Sequence, residues 1–321
     1  MPDLRAWASG KSRGVGRPLQ QGNAVANPEA LCFSMALLIV YQRIPRISPS
    51  RSMKKKVSDN VTRVGKKTNR SAIPKLGTAA CREYFLAYSQ INSFFHFVLH
   101  TVSHIDKAAE VAHTALVNTE HDPVKKQELE ESWVKRKGAV DALRDQRQFF
   151  IEIIVVRHVE NYLNYLSSLL FEIFTQRPET LRSSDRIAVE EVLRHSTVDA
   201  IVKAVAERKV ETLSYSSFQD LAVFFKERFS LTLASTKNES TIVHAIELRN
   251  ISVHNRCIVN RRFISRTGDE KTPVGSRKDL FVNYLDELVP LLKSLVQQLD
   301  RSARLHLKLK ATRFQPRTKK T

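Results

Sequence analysis

The sequence predicts an all-α protein, a helical bundle with a basic tail at each end, and three observations carry that prediction. Gly is scarce at 9 and Pro at 11 in 321 residues, so turn punctuation is too sparse for a many-stranded sheet. Apolar residues return at three- and four-residue spacing over long stretches, and strand-like alternation is absent. The formal charge of +19 is concentrated at the ends: residues 1–75 carry 15 Lys/Arg against 3 Asp/Glu, and residues 301–321 carry 8 Lys/Arg and no acid. The stretch 76–300 holds 29 bases and 30 acids, so the folded part need not be a basic body. Salt-sensitive attraction to RNA phosphates is then expected to come mainly from the tails.

Three regions follow from this patterning: a basic extension at 1–75, a helical body at 76–305 and a basic tail at 306–321. Residues 1–29 lack periodicity and 42–75 are rich in Ser, Arg and Lys, so neither can bury a core. The extension is either a disordered arm or an over-extended reading frame, with Met53 as the biological start. The longest apolar run, Ala30–Tyr41, has 12 residues, well short of the roughly 20 that a membrane span requires, and no small-residue cleavage site follows it. No membrane association is expected. Cys32, Cys81 and Cys257 are far apart and form no C-x-x-C pair, which argues against a zinc site or a disulfide framework and for a reducing, cytoplasmic compartment. No cofactor or metal is expected.

The body divides as follows. From Ala79, apolar residues recur at helical spacing through Tyr84, Phe85, Tyr88, Ile91, Phe94, Phe95, Val98, Leu99, Val102 and Ile105, which predicts a helix with a broad apolar face. Asp122 to Arg147 alternates acids and bases at helical offsets, as on a solvated helix, and Asp122-Pro123 supplies its cap and first turn. Phe149 to Phe174 is apolar around most of its circumference and belongs at the centre of a bundle or in an oligomer interface. Further helices are expected from Ser184 or Asp185 to about Glu207, with those two residues as cap chemistry, and from Ser216 to Phe229. A loop at 235–240 precedes a helix from Thr241 to about Phe263. A polar loop at 266–276 leads to a last helix from Lys278 to about Leu309. No internal repeat has a solenoid period.

The helix after Thr241 contains the constellation that carries chemistry. Glu247, Asn250 and His254 fall nearly on one line at offsets of three, four and seven, and Arg249 stands beside that line. An imidazole, a guanidinium and an amide can therefore converge between apolar flanks at Ile246, Leu248, Ile251 and Val253. The trio suits metal-free RNA cleavage. A histidine can exchange a proton with the ribose 2′-OH or the departing 5′ oxygen. An arginine offers a fork of donors to the phosphate oxygens where charge grows, and the amide can orient the ring or bind phosphate. The plainer alternative is a satisfied helix histidine beside an ordinary arginine ion pair; the spacing also occurs at Arg301 to His306, in the basic tail.

The string Arg249-Asn250-Ile-Ser-Val-His254 resembles the signature of the HEPN superfamily: an Arg, then Asn, Asp or His, then three residues and a His. The order of helices from about Gln148 to Asp300 resembles it as well. The resemblance implies an up-and-down helical bundle that forms a homodimer with the motif helices of two protomers facing one another. It also implies an endoribonuclease that cuts single-stranded RNA, perhaps a tRNA loop, without metal and leaves a 2′,3′-cyclic phosphate, with Arg249 and His254 as the catalytic pair and Asn250 as accessory. Many such enzymes serve as toxins or antiviral effectors, so an antitoxin or regulatory partner is implied. The alternatives are a non-catalytic helical interaction module and a nucleotide-binding module in which Arg249 and His254 hold phosphate uncut. The absence of a G-x-x-x-x-G-K-[ST] loop argues against an NTPase.

Two other sets deserve weighing. Arg157-His158, Glu160 and Asn161 interrupt the apolar helix, either as a surface stripe or as polar groups lining the cleft, as the resemblance allows. His96, His100 and His104 repeat every four residues among phenylalanines, a spacing that admits a metal, although a packed face of aromatic rings and histidines is the expected arrangement.

Overall fold

Residues 74–181 and 187–314 are described by a computed structural model, and the two readings of residues 1–73 lie outside the described residues. The described chain is all-α apart from one two-stranded pairing. The helices are α1 (Ala79–Thr119), α2 (Pro123–Lys135), α3 (Ala139–Asp145), α4 (Arg147–Gln176), α5 (Val189–Leu193), α6 (Val198–Ser214), α7 (Phe218–Phe229), α8 (Thr236–Asn255), α9 (Arg261–Thr267) and α10 (Val282–Leu307). The strands are β1 (Leu76–Gly77) and β2 (Thr312–Arg313).

The helix that is apolar on nearly every side, α4, sits at the centre. Of its 30 residues 14 are buried, too many for a single face, and α1, α6, α8 and α10 all pack against it. Ile154, Tyr162 and Leu169 are fully enclosed. Of the two expected places for this helix, bundle centre or oligomer interface, the structure takes the first.

The ends of the described chain are tied to each other. β1 and β2 pair antiparallel with Gly77 opposite Thr312, and Phe314 N–H donates to the Lys75 carbonyl at 3.2 Å. A Cβ at Gly77 would meet the tip of the Phe314 ring at 2.8 Å and Cys81 Sγ at 3.1 Å, so a larger residue at this crossing would displace the ring. Thr78 caps α1 by accepting from Cys81 N–H at 3.1 Å. Asp300, buried on α10, accepts from the Thr78 backbone N–H at 3.1 Å, the Thr78 hydroxyl at 2.5 Å and Arg304 Nε at 2.9 Å. The expected tail boundary at 305 therefore falls inside an ordered seam that runs to residue 314.

At 41 residues α1 is about 60 Å long, and its second half extends past the core to pack against α2. No α2 residue is buried; the contact is a His113 ring stacked on Trp133 at 4.4 Å, with Arg136 over the indole at 4.9 Å. The single solvated helix expected over 122–147 is two helices. Asp106 on α1 accepts from Ala139 N–H at 2.7 Å and Val140 N–H at 2.8 Å, which starts α3 afresh after Gly138. A Cβ at Gly138 would meet that carboxylate at 2.8 Å.

Other boundaries also move. The helix expected up to Glu207 is two, α5 and α6, with Thr197 capping the second; the proposed caps Ser184 and Asp185 lie outside the described residues. The motif helix starts at Thr236, so the expected loop at 235–240 is mostly its exposed first turn, with Glu239 favourable to the helix dipole. It ends at Asn255 rather than near Phe263, because Arg256 and Cys257 adopt φ of 52° and 61°. Those left-handed residues are held by Cys257 N–H donating to the Ile251 carbonyl at 2.9 Å and by Lys278 N–H donating to the Cys257 carbonyl at 2.9 Å. No helix among the described residues is long and apolar enough to cross a membrane. Cys81 and Cys257 are both buried and unpaired, and burial pushes both thiols above their ordinary range.

The Asp300 seam gives the first prediction. Replacing Asp300 by Ala strands the Arg304 guanidinium and two Thr78 donors, and should cost about 3–5 kcal/mol in urea unfolding. A loss below about 1 kcal/mol, the scale of an exposed pair, would show that the seam does not hold the ends.

Candidate active cleft between the fourth and eighth helices

The site begins with a register. α8 runs antiparallel to α4: Arg249 meets Glu160, while Arg277, beyond the end of α8, meets Glu152 two turns earlier on α4. Arg249 NH2 donates to Glu160 Oε1 at 3.0 Å, and Arg157 donates to the other carboxylate oxygen at 3.3 Å. Arg249 NH1 donates to Asn250 Oδ1 at 3.2 Å, and Asn250 Nδ2 lies 3.5 Å from Glu247 Oε2. Glu247 is buried and accepts from Arg266 NH1 at 2.9 Å, with Arg262 Nε at 3.9 Å. Bases and acids thus alternate along one connected chain from Arg157 to Arg266. One donor is left over: Arg249 Nε is buried without a partner among the described residues, an arrangement that costs about 1–3 kcal/mol.

This chain forms one wall of a cleft of about 460 Å³ bounded by α4, α8, α9 and the turn between α6 and α7. Arg249, Asn250 and Glu247 line it, as do Glu160, Arg262 and Arg266. Leu248 and Ile251 are buried behind the motif and Ile246 partly so, as the expected apolar flanks, whereas Val253 is 47% exposed.

His254 is not part of that wall. It is exposed on the last turn of α8, makes no hydrogen bond or ion pair among the described residues, and does not line the cleft. The structure brings the guanidinium and the amide together and leaves the imidazole outside, so the expected three-way convergence is not made within one chain. The cause is geometric. His254 lies five positions after Arg249, about 7.5 Å along the axis, and Arg249 turns toward α4 to meet Glu160. Arg301 and His306, the second occurrence of the spacing, are exposed on the final turns of α10.

Arg262 and Arg266 were not anticipated as site residues. Their four-residue spacing was the available signal, but it was divided between an over-long helix and a loop. Arg157, His158, Glu160 and Asn161 do not form a surface stripe, since of these four only Arg157 is exposed. Asn161 is buried and donates to the Tyr84 carbonyl at 3.0 Å, and Glu160 lines the cleft. His158 is buried beside the Tyr88 ring at 5.6 Å, with Nε2 unpartnered. The histidines of α1 also differ from expectation. His96, His100 and His104 are exposed, with Phe94 and Phe97 at 58% and 66%, so this face is uncovered rather than packed. Among the described residues no group of His, Cys, Asp and Glu is arranged to hold a metal ion.

Burial pushes the His158 imidazole down to about 4. The folded state then resists a proton that the unfolded chain takes up near pH 6.5, so stability falls as pH drops from about 6.5 toward 4. The loss should reach about 3 kcal/mol, and His158→Leu should make the slope shallower. His244, pushed down by burial as well, leaves a residual slope. Urea midpoints across this range are the measurement, and an unchanged slope in His158→Leu would contradict the burial argument.

Comparison of the chain with protein-family models, with curated proteins and with solved structures finds no match.

Proposed function

We propose that the chain is an endoribonuclease of HEPN type that acts as a homodimer on single-stranded RNA, leaving 2′,3′-cyclic phosphate and 5′-hydroxyl ends without a metal ion. The observation that carries the reading is Arg249 beside Asn250 in the wall of an open cleft, with His254 on the next turn free of any partner among the described residues. Those groups match the demands of the reaction. The ribose 2′ oxygen forms a bond to phosphorus while the bond to the 5′ oxygen breaks, and His254 exchanges a proton with one of those two oxygens. Arg249 donates to the non-bridging oxygens, where negative charge accumulates. Asn250 holds the guanidinium through its own Oδ1.

The exposure of His254 and Val253 supports the dimer part of the reading. A two-fold axis near this turn would bring the same patch of a second copy against it, so each imidazole would gain a second motif helix as neighbour. A cytoplasmic toxin or antiviral role, with a regulatory partner, belongs to the same reading. The Arg249–Glu160 ion pair favours a second one, a non-catalytic helical interaction or nucleotide-binding module, because an arginine already committed to a carboxylate can serve packing alone.

Mutagenesis separates them. Arg249→Ala and His254→Ala should each lower cleavage of a single-stranded RNA by about 100-fold or more while helicity and dimer mass by light scattering stay unchanged. Because the two act on one transition state, the double variant should lose far less than the product of the single losses. A folded His254→Ala protein that cleaves at the full rate, or a monomer at micromolar concentration, would contradict the proposal.

A further inference from the structure

The cleft is also lined by the turn between α6 and α7, and that end has its own chemistry. Tyr215, the residue that ends α6, lines it and is 86% exposed. Its ring makes no aromatic contact and its hydroxyl no hydrogen bond among the described residues. A large ring left in water on a sharp turn gains nothing for the fold. Two amides line the same space: Asn164 on α4 and Gln219 on α7 are both exposed and both without a partner among the described residues. Two of the neighbouring serines are engaged locally instead. Ser214 bonds the Val210 carbonyl at 2.8 Å, and Ser217 caps α7 by accepting from Asp220 N–H at 3.1 Å. The free polar groups here are therefore the Tyr215 hydroxyl, the two amides and the Ser216 hydroxyl, beside one exposed aromatic ring, while Arg262 and Arg266 line the same cleft.

We propose that this end of the cleft is a subsite for one unpaired nucleotide of an RNA strand, with its base stacked on Tyr215 and its edge hydrogen-bonded by Asn164 and Gln219. Single strands are recognised by splayed bases on aromatic side chains, and amides offer a donor and an acceptor to a base edge. The whole cleft, at about 460 Å³, lies in the range of about 300–1,000 Å³ that small-molecule sites occupy, so it has room for one nucleotide. Arg262 and Arg266 supply the cationic side for its phosphate, with Glu247 beneath them fixing their direction. The choice of RNA as the strand's source rests on the ribonuclease reading; the subsite itself rests on Tyr215, Asn164 and Gln219. It selects unpaired RNA, because a paired base cannot leave its stack to enter.

The test is binding, measured separately from cleavage. A fluorescent 2′-O-methyl pentanucleotide, whose nucleophile is blocked, is titrated against the full chain by anisotropy at about 0.3 M salt, where attraction to the basic tails is largely screened. Wild type should bind it at least about tenfold tighter than a blunt duplex of the same length. Tyr215→Ala should weaken binding by about 5- to 150-fold, the range of one lost base stack, and Tyr215→Phe should stay within about twofold of wild type. If Tyr215→Ala binds as wild type does, the subsite is overturned even if the protein cleaves RNA. If Tyr215→Phe loses as much as Tyr215→Ala, stacking is overturned as its basis. If Tyr215→Ala loses binding while wild type cleaves nothing, the subsite stands and the ribonuclease reading fails.

Discussion

The burial of α4 is the constraint from which the rest of the structure follows. A helix that is apolar on nearly every side has to be covered by several neighbours at once, and α1, α6, α8 and α10 do so. Its few polar residues must then fall where a neighbour can satisfy them or where two neighbours leave a seam. Over residues 157–161 each takes a different solution. Arg157 reaches solvent, His158 is enclosed beside Tyr88, Glu160 enters the seam with α8, and Asn161 bonds the α1 backbone at Tyr84. The candidate site arises at the seam with α8 because Glu160 requires a cation there and Arg249 supplies it.

That pairing has two consequences for chemistry. The carboxylates of Glu160 and Glu247 orient four guanidiniums, those of Arg157, Arg249, Arg262 and Arg266, and each arginine keeps donors beyond those it uses. An anion entering the cleft therefore meets directed donors and displaces no structural bond of the core. The side chains that could reposition are the half-buried ones at the cleft wall, whereas the helices carrying them are fixed by enclosed aliphatic packing at Leu248 and Ile251. The left-handed pair Arg256–Cys257 ends α8 immediately after His254, which leaves the imidazole on a terminal turn facing outward.

Much of this was legible in the sequence where the signal is local. Helical periodicity and scarce glycine give the fold class, the all-round apolar stretch gives the central helix, and the adjacency of Arg249 and Asn250 gives their shared wall. The features that were not legible depend on distant partners. Nothing in Arg256-Cys257 marks a helix stop, because neither residue is Gly or Pro; the stop is enforced by Lys278, some twenty residues downstream. Glu160 and Arg249 are 89 residues apart, so their pairing is invisible to spacing. Periodicity shows which residues share a face but not whether the face is covered, which is why His96, His100 and His104 with Phe94 and Phe97 read as packed although they are exposed. The buried His158 and Asn161 fail in the opposite direction for the same reason.

If, as we propose, the Arg249 notch cuts RNA through the ribose 2′ oxygen, the ends left on the product carry the mark of that chemistry. Purified full chain is incubated with total RNA in EDTA, and the new termini are mapped and identified chemically. The account predicts 5′-hydroxyl and 2′,3′-cyclic phosphate ends in unpaired segments, absent when Arg249→Ala protein replaces wild type. Termini carrying a 5′-phosphate, or a yield no greater than that of Arg249→Ala, would contradict it.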